Sequence, residues 1–446
     1  MKYLRIALLN LCFLFLTQYS QAQTPMSLAD CVQKGLTNFP TIQRQRLDIN
    51  KADEKVKEIR AAWLPQVNGS AAINDNLKLA TQILPGAIFG KPGEDVAVQF
   101  GTKYTMNGGI DINQVIYNAA IPLNVKVAEM SKKSGELNVR KTEEQLMYDI
   151  ASAYYSAQVT KVQMRIIEAN RDRITKLLTI IKIQYDNGFA KKLDYNRLLV
   201  NQTNLETDLQ NLDINYRQQL TMLKYYMGIP LSTDLVLTDK TDTELYQNIK
   251  VGLEDVTKNS PDFQLIQVQK SMNDLQIEQI KGGYKPTLSA GLRLNYQTQQ
   301  NNINIFGKDS KWLPTAALAV NLSVPIFDGF SKKYKANQVR IEREQLRFDE
   351  QNLTESLALQ NENARYKLQL NQAAVTTQTN NIKLAEEVYK STQVQFEGGI
   401  TPLSELLNAE NSLKEAQTNY LKNLVQVKVA ELDILKSSGN IREILK

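Results

Sequence analysis

One turn occurs twice with the same spacing, and it limits the folds open to this chain more than any other feature. The first copy reads Tyr185-Asp-Asn-Gly188-Phe-Ala-Lys-Lys-Leu-Asp194 and the second Phe396-Glu-Gly-Gly399-Ile-Thr-Pro-Leu-Ser-Glu405. In both, an aromatic residue stands three positions before a glycine and a carboxylate six positions after it. The copies are 211 positions apart (185 to 396). Each interrupts a long helical pattern, so each reads as the tip of a helical hairpin. Gly188, Gly398 and Gly399 serve the turn, where a backbone without Cβ is needed.

The flanking patterns are unusually long. From Ile121 to Tyr185, the positions Leu146, Ile150, Ala153, Ala157, Met164, Ile167, Ile174, Leu178, Ile181 and Tyr185 fall on an alternating three-four ladder. That is the seam of coiled-coil packing. At about 1.5 Å per residue the helix would be on the order of 100 Å long, more than a compact domain holds. Leu198, Leu205, Leu209, Leu212, Tyr216, Leu223 and Met227 run the seam back, and Gly228 with Pro230 ends it. A second helix, Ser331 to Phe396, carries Leu357, Ala364, Leu368, Val375, Ile382, Ala385, Tyr389 and Phe396 on the equivalent ladder. Gly439 ends its return helix.

Ahead of each long helix the period changes to two. Helical patterns over Leu28–Leu36 and Pro40–Trp63 stop at Pro65. Val67, Gly69, Ala71 and Ile73 then alternate with polar or small neighbours. Leu79 to Val96 reads as a loop with Pro85-Gly86 and Pro92-Gly93 turns. A second strand places Tyr104, Met106, Gly108, Ile110 and Ile112 on one face. A polar connector spans Leu231 to Gly252, after which the program repeats. Asn259-Ser-Pro261 matches Asn38-Phe-Pro40, and Ile280 to Pro286 matches Ile59 to Pro65. Leu288, Ala290, Leu292, Leu294 and Tyr296 form a third strand face, and Leu318, Val320, Leu322, Val324 and Ile326 a fourth. Expected strands cover about 65–79, 100–117, 286–299 and 314–327. Two structural repeats, 23–250 and 251–446, would follow a signal peptide at 1–22.

That leader has Lys2 and Arg5 before an Ile6–Leu16 apolar run and a Ser20-Gln21-Ala22 cleavage site. The run is too short to span a membrane. Cys12 lies inside it behind Asn10-Leu11 rather than behind small residues, which argues against lipidation. Only Cys31 would remain, so no disulfide framework is expected. With no histidine in the chain, Ser-His-Asp and Cys-His systems and the commonest metal ligand are excluded. No catalytic, cofactor-binding or metal-ligating set stands out. The net charge of +6 falls to +4 when Lys2 and Arg5 leave, and no basic block points to nucleic acid. Any membrane crossing must be made by strands.

Four strands cannot close a barrel alone. A cyclic oligomer solves this, and three chains would give twelve strands, an even number suited to a membrane barrel. The count does not itself select three.

The duplicated strand-helix halves, the Val324-Pro-Ile-Phe-Asp-Gly329 junction into a long helix and the Phe396-x-x-Gly399-x-x-x-x-x-Glu405 tip resemble the TolC-like outer membrane efflux family. The resemblance covers nearly all of the mature chain. It implies a mainly α fold with β: four strands given to a trimeric twelve-stranded outer-membrane barrel, and helical hairpins forming a coiled-coil tunnel across the periplasm. The implied role is a passive conduit of a tripartite efflux or type I secretion system. The implied partners are two further copies, a periplasmic adaptor (membrane fusion protein), an inner-membrane transporter and outer-membrane lipid.

The resemblance also points to the tip as a gate. Glu405 matches the family's first acidic constriction position, Asn408 falls where some members carry a second acid, and Thr401 where some carry a basic latch residue. Asp194 is the first hairpin's equivalent of Glu405. Carboxylates gathered at a constriction attract cations; the alternative is a helix N-terminal carboxylate on the dipole. One acidic ring and a weaker cation filter are expected, with Glu405 lining it. Trp63, Tyr284 and Trp312 are candidate membrane-interface aromatics, the alternative being packing at strand junctions. A coiled-coil surface protein would not explain the strands. A periplasmic adaptor would have one hairpin, flanked by lipoyl-like and β-barrel segments.

Overall fold

Among the described residues the six longest helices come in three pairs of equal length. In the computed structural model, which describes residues 25–90, 92–238, 259–304, 307 and 310–445, α1 (Leu28–Asn38) is followed by α2 (Pro40–Ala61). Then come β1 (Gln66–Asp75), β2 (Ala80–Pro85), β3 (Asp95–Phe100), β4 (Tyr104–Tyr117), α3 (Ala120–Asp186) and α4 (Lys192–Tyr226). The second half gives α5 (Pro261–Gly282), β5 (Thr287–Gln300), β6 (Leu313–Ser323), α6 (Ser331–Glu397) and α7 (Leu403–Ser437). The pairs α2/α5, α3/α6 and α4/α7 have 22, 67 and 35 residues per member. Duplication therefore extends to the length of every long helix. The expected signal peptide and most of the polar connector lie outside the described residues.

Two compact units partition the chain. One comprises 48–135 and 266–348. Within it, β1, β4, β5 and β6 form an antiparallel sheet in the order β1-β4-β5-β6, so the two halves join at β4–β5. The register aligns side chains by face: Val67, Ile112, Leu292 and Leu318 are neighbours in one row. The next row is Asn68, Asp111, Arg293 and Ala317. Arg293 Nε donates to Asp111 Oδ1 at 2.6 Å within that row. Every residue of β1 and β6 is exposed in the single chain, Val67 and Leu318 among them. One sheet face is thus apolar and uncovered.

The segment expected as a loop is a second small sheet. β2 pairs with β3 across a 3-10 turn at Gly86–Phe89. Pro85-Gly86 opens that turn and Gly90 closes it at positive φ, while Gly93 of the second pair is also at positive φ. β2 (Ala-Thr-Gln-Ile-Leu-Pro) has no alternation of apolar and polar residues, and the flanking proline-glycine signals masked the Val96, Val98 and Phe100 alternation of β3.

The other unit comprises residues up to 47, 136–265 and 349–446. A capping box at Ser27 and Asp30 starts α1. The 136–186 part of α3 is on the order of 75 Å of helix at about 1.5 Å per residue. Its ladder is buried at Leu146, Ile150, Ala153, Ala157, Ile167, Ile174 and Ile181. Leu198, Leu205, Leu223 and Met227 bury the return seam, and Leu357, Ala364, Val375 and Tyr389 the second long helix. Among the described residues no helix is long and apolar enough to cross a membrane.

Candidate functional site

The two tip turns share one backbone solution. In the first, Gly188 has φ 79°. Its N–H donates to Tyr185 O at 2.9 Å, and Phe189 N–H reaches Gln184 O at 2.7 Å. In the second, Gly399 has φ 73°. Its N–H donates to Phe396 O at 2.9 Å, and Ile400 N–H reaches Gln395 O at 2.8 Å. This crossed pair of bonds is the Schellman motif, which needs a left-handed residue at the glycine. The aromatic three positions back supplies one of the two carbonyls. The sequence spacing thus has a hydrogen-bond explanation.

Apolar packing brings the two tips together. Leu403, at the start of α7, is buried in one cluster with Ile174, Ile181 and Leu198 of the first hairpin. Phe396 and Leu407 pack on the same cluster. Phe396 also touches the neighbouring cluster of Tyr389, Leu406, Ala409 and Leu413. Tyr185 stacks on Tyr195 across the first turn, with ring centroids 5.9 Å apart.

Asp194 and Glu405 occupy matching places. Each is the third residue of its helix, α4 or α7, and in the first turn. Neither helix has a side-chain cap, since Lys191 and Pro402 hold the capping positions. Both carboxylates therefore lie where unpaired backbone N–H groups favour negative charge. Asp194 has Arg197 at 3.8 Å. Glu405 and Asn408 are exposed on one face of α7. Thr401 is half-buried, and its hydroxyl oxygen is shielded from solvent.

The three aromatics fall at the two ends of the sheet. Trp63 and Tyr284 lie in the links from α2 to β1 and from α5 to β5. The Trp63 carbonyl accepts from Gln114 Nε2 at 2.6 Å, and Lys332 Nζ stands 4.9 Å from the Tyr284 ring centroid. Trp312 immediately precedes β6, at the sheet's other end.

Beyond these expected residues lies a set of buried charges on α7. Glu410 is 4% exposed, five residues past Glu405. Arg173 Nε of α3 stands 3.6 Å from Glu410 Oε1. Glu431 is also buried, paired with Lys428 at 2.9 Å, and burial beside Glu431 pushes the Tyr155 hydroxyl up to about 12. A three-four ladder laid along α7 through Leu403, Leu406, Leu413, Leu424, Val427 and Ile434 includes positions 410 and 431. That ladder was the signal: carboxylates at seam positions.

A family model described as outer membrane efflux protein matches residues 31–228 and 252–440. Nodulation protein T of Rhizobium leguminosarum bv. trifolii is 20% identical over 85% of this chain and 79% of its own length. Outer membrane protein TolC of Escherichia coli (strain K12) is 20% identical over 96% of this chain and 86% of its own. Among solved structures, CusC superposes with a TM-score of 0.75 at 14% identity, covering 95% of each chain. The open-state MtrE outer membrane channel of Neisseria gonorrhoeae gives 0.71 at 14% identity, over 92% of this chain and 88% of its own.

Proposed function

The chain belongs to the outer membrane efflux protein family, and from that premise we propose how it works. It is an outer membrane efflux channel of an efflux or type I secretion system, a non-enzymatic transport protein whose helices form a periplasmic tunnel. Channels of this family are trimeric and work with efflux pumps.

For this chain, three copies contribute β1, β4, β5 and β6 to a closed barrel of twelve strands. The uncovered row of Val67, Ile112, Leu292 and Leu318 then meets lipid, and the row carrying Asp111 and Arg293 faces water. Strands of 10 to 14 residues suit the roughly 9–11 that a tilted membrane strand needs. Trp63 and Tyr284 mark the periplasmic interface and Trp312 the outer one, where a ring with an apolar body and a wet edge is favoured.

The gate is the paired tip. The observation that carries this reading is the burial of Leu403 in the first hairpin's cluster, which holds the α7 start, with Glu405, against the α4 start, with Asp194. Threefold repetition sets three Glu405 carboxylates around the axis, with Asn408 one turn on. A periplasmic adaptor docks at these tips and connects them to an inner-membrane transporter.

Purified protein in planar bilayers tests the channel. The expected result is a detergent-resistant trimer with discrete conducting steps. A monomeric, non-conducting product from outer-membrane fractions overturns it.

A further inference from the structure

Glu410 occupies an unfavourable place for a carboxylate. It lies in an apolar seam between Leu406 and Leu413, beside Ala409 and against Tyr389 of α6. Among the described residues, neither of its oxygens has a hydrogen-bond partner. The Nε of Arg173, 3.6 Å away, also lacks one, as does Asn170 Nδ2. Arg173 instead donates through Nη2 to Asn170 Oδ1 and lays its guanidinium 5.5 Å from the Tyr389 ring centroid. Buried polar atoms are nearly always paired, and charged ones carry the larger penalty when they are not. Here a half-exposed cation, whose Nε is shielded from solvent, faces a buried anion just beyond hydrogen-bond distance. A shift of under about 1 Å would give a charge-assisted pair at the usual separation.

We propose that Arg173 and Glu410 position the gate, coupling α7 to α3 through two arrangements of this pair. The inference rests on the reading of the tip as the gate. In the arrangement described, the pair is apart, which suits a proton-bound Glu410. Once ionised, Glu410 draws Arg173 in, and α7 moves with it. Glu405 lies five residues away on the same rigid helix, about 7.5 Å along its axis, so it moves too. The charged and titratable groups facing the site are few. They are Arg173 on α3, Tyr389 on α6 with Glu397 acting on it, and Lys414 on α7, itself 3.5 Å from Asp208 of α4. Burial pushes the Glu410 carboxyl up, and Arg173 and then Lys414 only partly offset this. The proton thus moves at a milder acidity than for an exposed carboxylate.

Single-channel recordings of the full-length protein test this as pH is lowered from neutral through the carboxylate range. Glu410→Gln should lose the pH response that Glu410 supplies and behave at every pH as the wild type does in acid. Arg173→Met removes the cation that an ionised Glu410 draws in, so it should lose the response as well, whereas Arg173→Lys, which keeps the charge, should retain it. A purely structural role moves neither. A pH response that persists unchanged in Glu410→Gln or in Arg173→Met overturns the coupling. Glu405→Gln separates the two ideas: unchanged cation selectivity there overturns the gate reading. The distance between spin labels at Lys182 of α3 and Asn411 of α7, both exposed, then decides the coupling by itself. A pH-dependent distance that Glu410→Gln abolishes sustains it, and one that Glu410→Gln leaves unchanged overturns it.

Discussion

Gly228 lies so close to Asn38 that a Cβ at position 228 would stand 2.7 Å from both the carbon and the oxygen of the Asn38 carbonyl. Gly439 stands in the same relation to Asn259, at the same distances. Both glycines have positive φ, 64° and 68°. Each ends a return helix and meets the residue two positions before α2 or α5 begins. The duplicated halves thus share one joint, built twice from backbone alone.

That joint separates the glycines by what surrounds them. Gly188 and Gly399 also have positive φ, but nothing lies within 4 Å of a Cβ on either. Gly188→Ala and Gly399→Ala should lose only about 1 kcal/mol, the cost of a left-handed backbone. Gly228→Ala and Gly439→Ala add overpacking against a carbonyl that cannot rotate away, and should lose about 2 to 4 kcal/mol each. Thermal unfolding followed by helical signal measures both. Equal losses at all four positions would show that the close approach has no energetic weight.

The tip and the joint were legible because glycine at a helix end is a local chemical requirement. Gly188, Gly228, Gly399 and Gly439 each announce a turn whatever the tertiary context. The long helices emerged to within two residues because apolar seams repeat over many turns. Leu28–Asn38 ran further than expected, as its last turn carries Thr37 and Asn38 rather than a seam residue. What stayed hidden depends on neighbours. Glu410 and Glu431 are charged, so a search for apolar periodicity passes over them, although both stand on the ladder of α7. Only the partner helices reveal that those positions have no water. The β2–β3 pair was hidden for a different reason, since β2 does not alternate and two proline-glycine turn signals lie between it and β3.

Asp328 is another local device with a testable sign. Its Oδ1 accepts from Phe330 N at 3.1 Å, and its Oδ2 accepts from Lys332 N at 3.0 Å and Lys332 Nζ at 3.2 Å. It thereby caps α6 and holds Gly329 and Phe330 in left-handed conformation, φ 64° and 66°. The Lys332 backbone bond chiefly lowers its carboxyl below the ordinary range, with lesser help from the Lys332 side chain and the Phe330 backbone. A lowered folded value means stability that is present above the ordinary carboxylate range and lost as pH falls through the folded one. Asp328→Ala should therefore lower the unfolding temperature at neutral pH, and the gap to wild type should close in acid. A gap that persists once Asp328 is protonated in the wild type would assign the loss to packing.

The acidic tip predicts ion selectivity. Glu405→Gln should reduce the preference for cations over anions and weaken block by divalent cations in reversal-potential and current measurements. Asp194→Asn should do less, because Arg197 at 3.8 Å already offsets part of that charge. If Glu405→Gln leaves selectivity and block untouched, Glu405 serves only the helix terminus, as its place in the first turn of α7 allows.

Glu410 carries the opposite sign from Asp328. Its folded carboxyl is raised by burial, so the fold binds that proton more tightly than the unfolded chain does. Its stabilising contribution is fully present below the ordinary carboxylate range and is lost as pH rises through the folded value. At neutral pH the ionised side chain therefore counts against the fold, since Arg173 at 3.6 Å returns less than burial costs. Glu410→Gln keeps the shape and removes the charge, and should stabilise the protein at neutral pH by about 1 to 3 kcal/mol. The advantage should shrink as the pH falls and the wild-type carboxyl takes its proton. Unfolding midpoints of the two proteins, compared across that range, decide the matter. A variant less stable than wild type at neutral pH would mean that the pair is net favourable as it stands and is not poised to move.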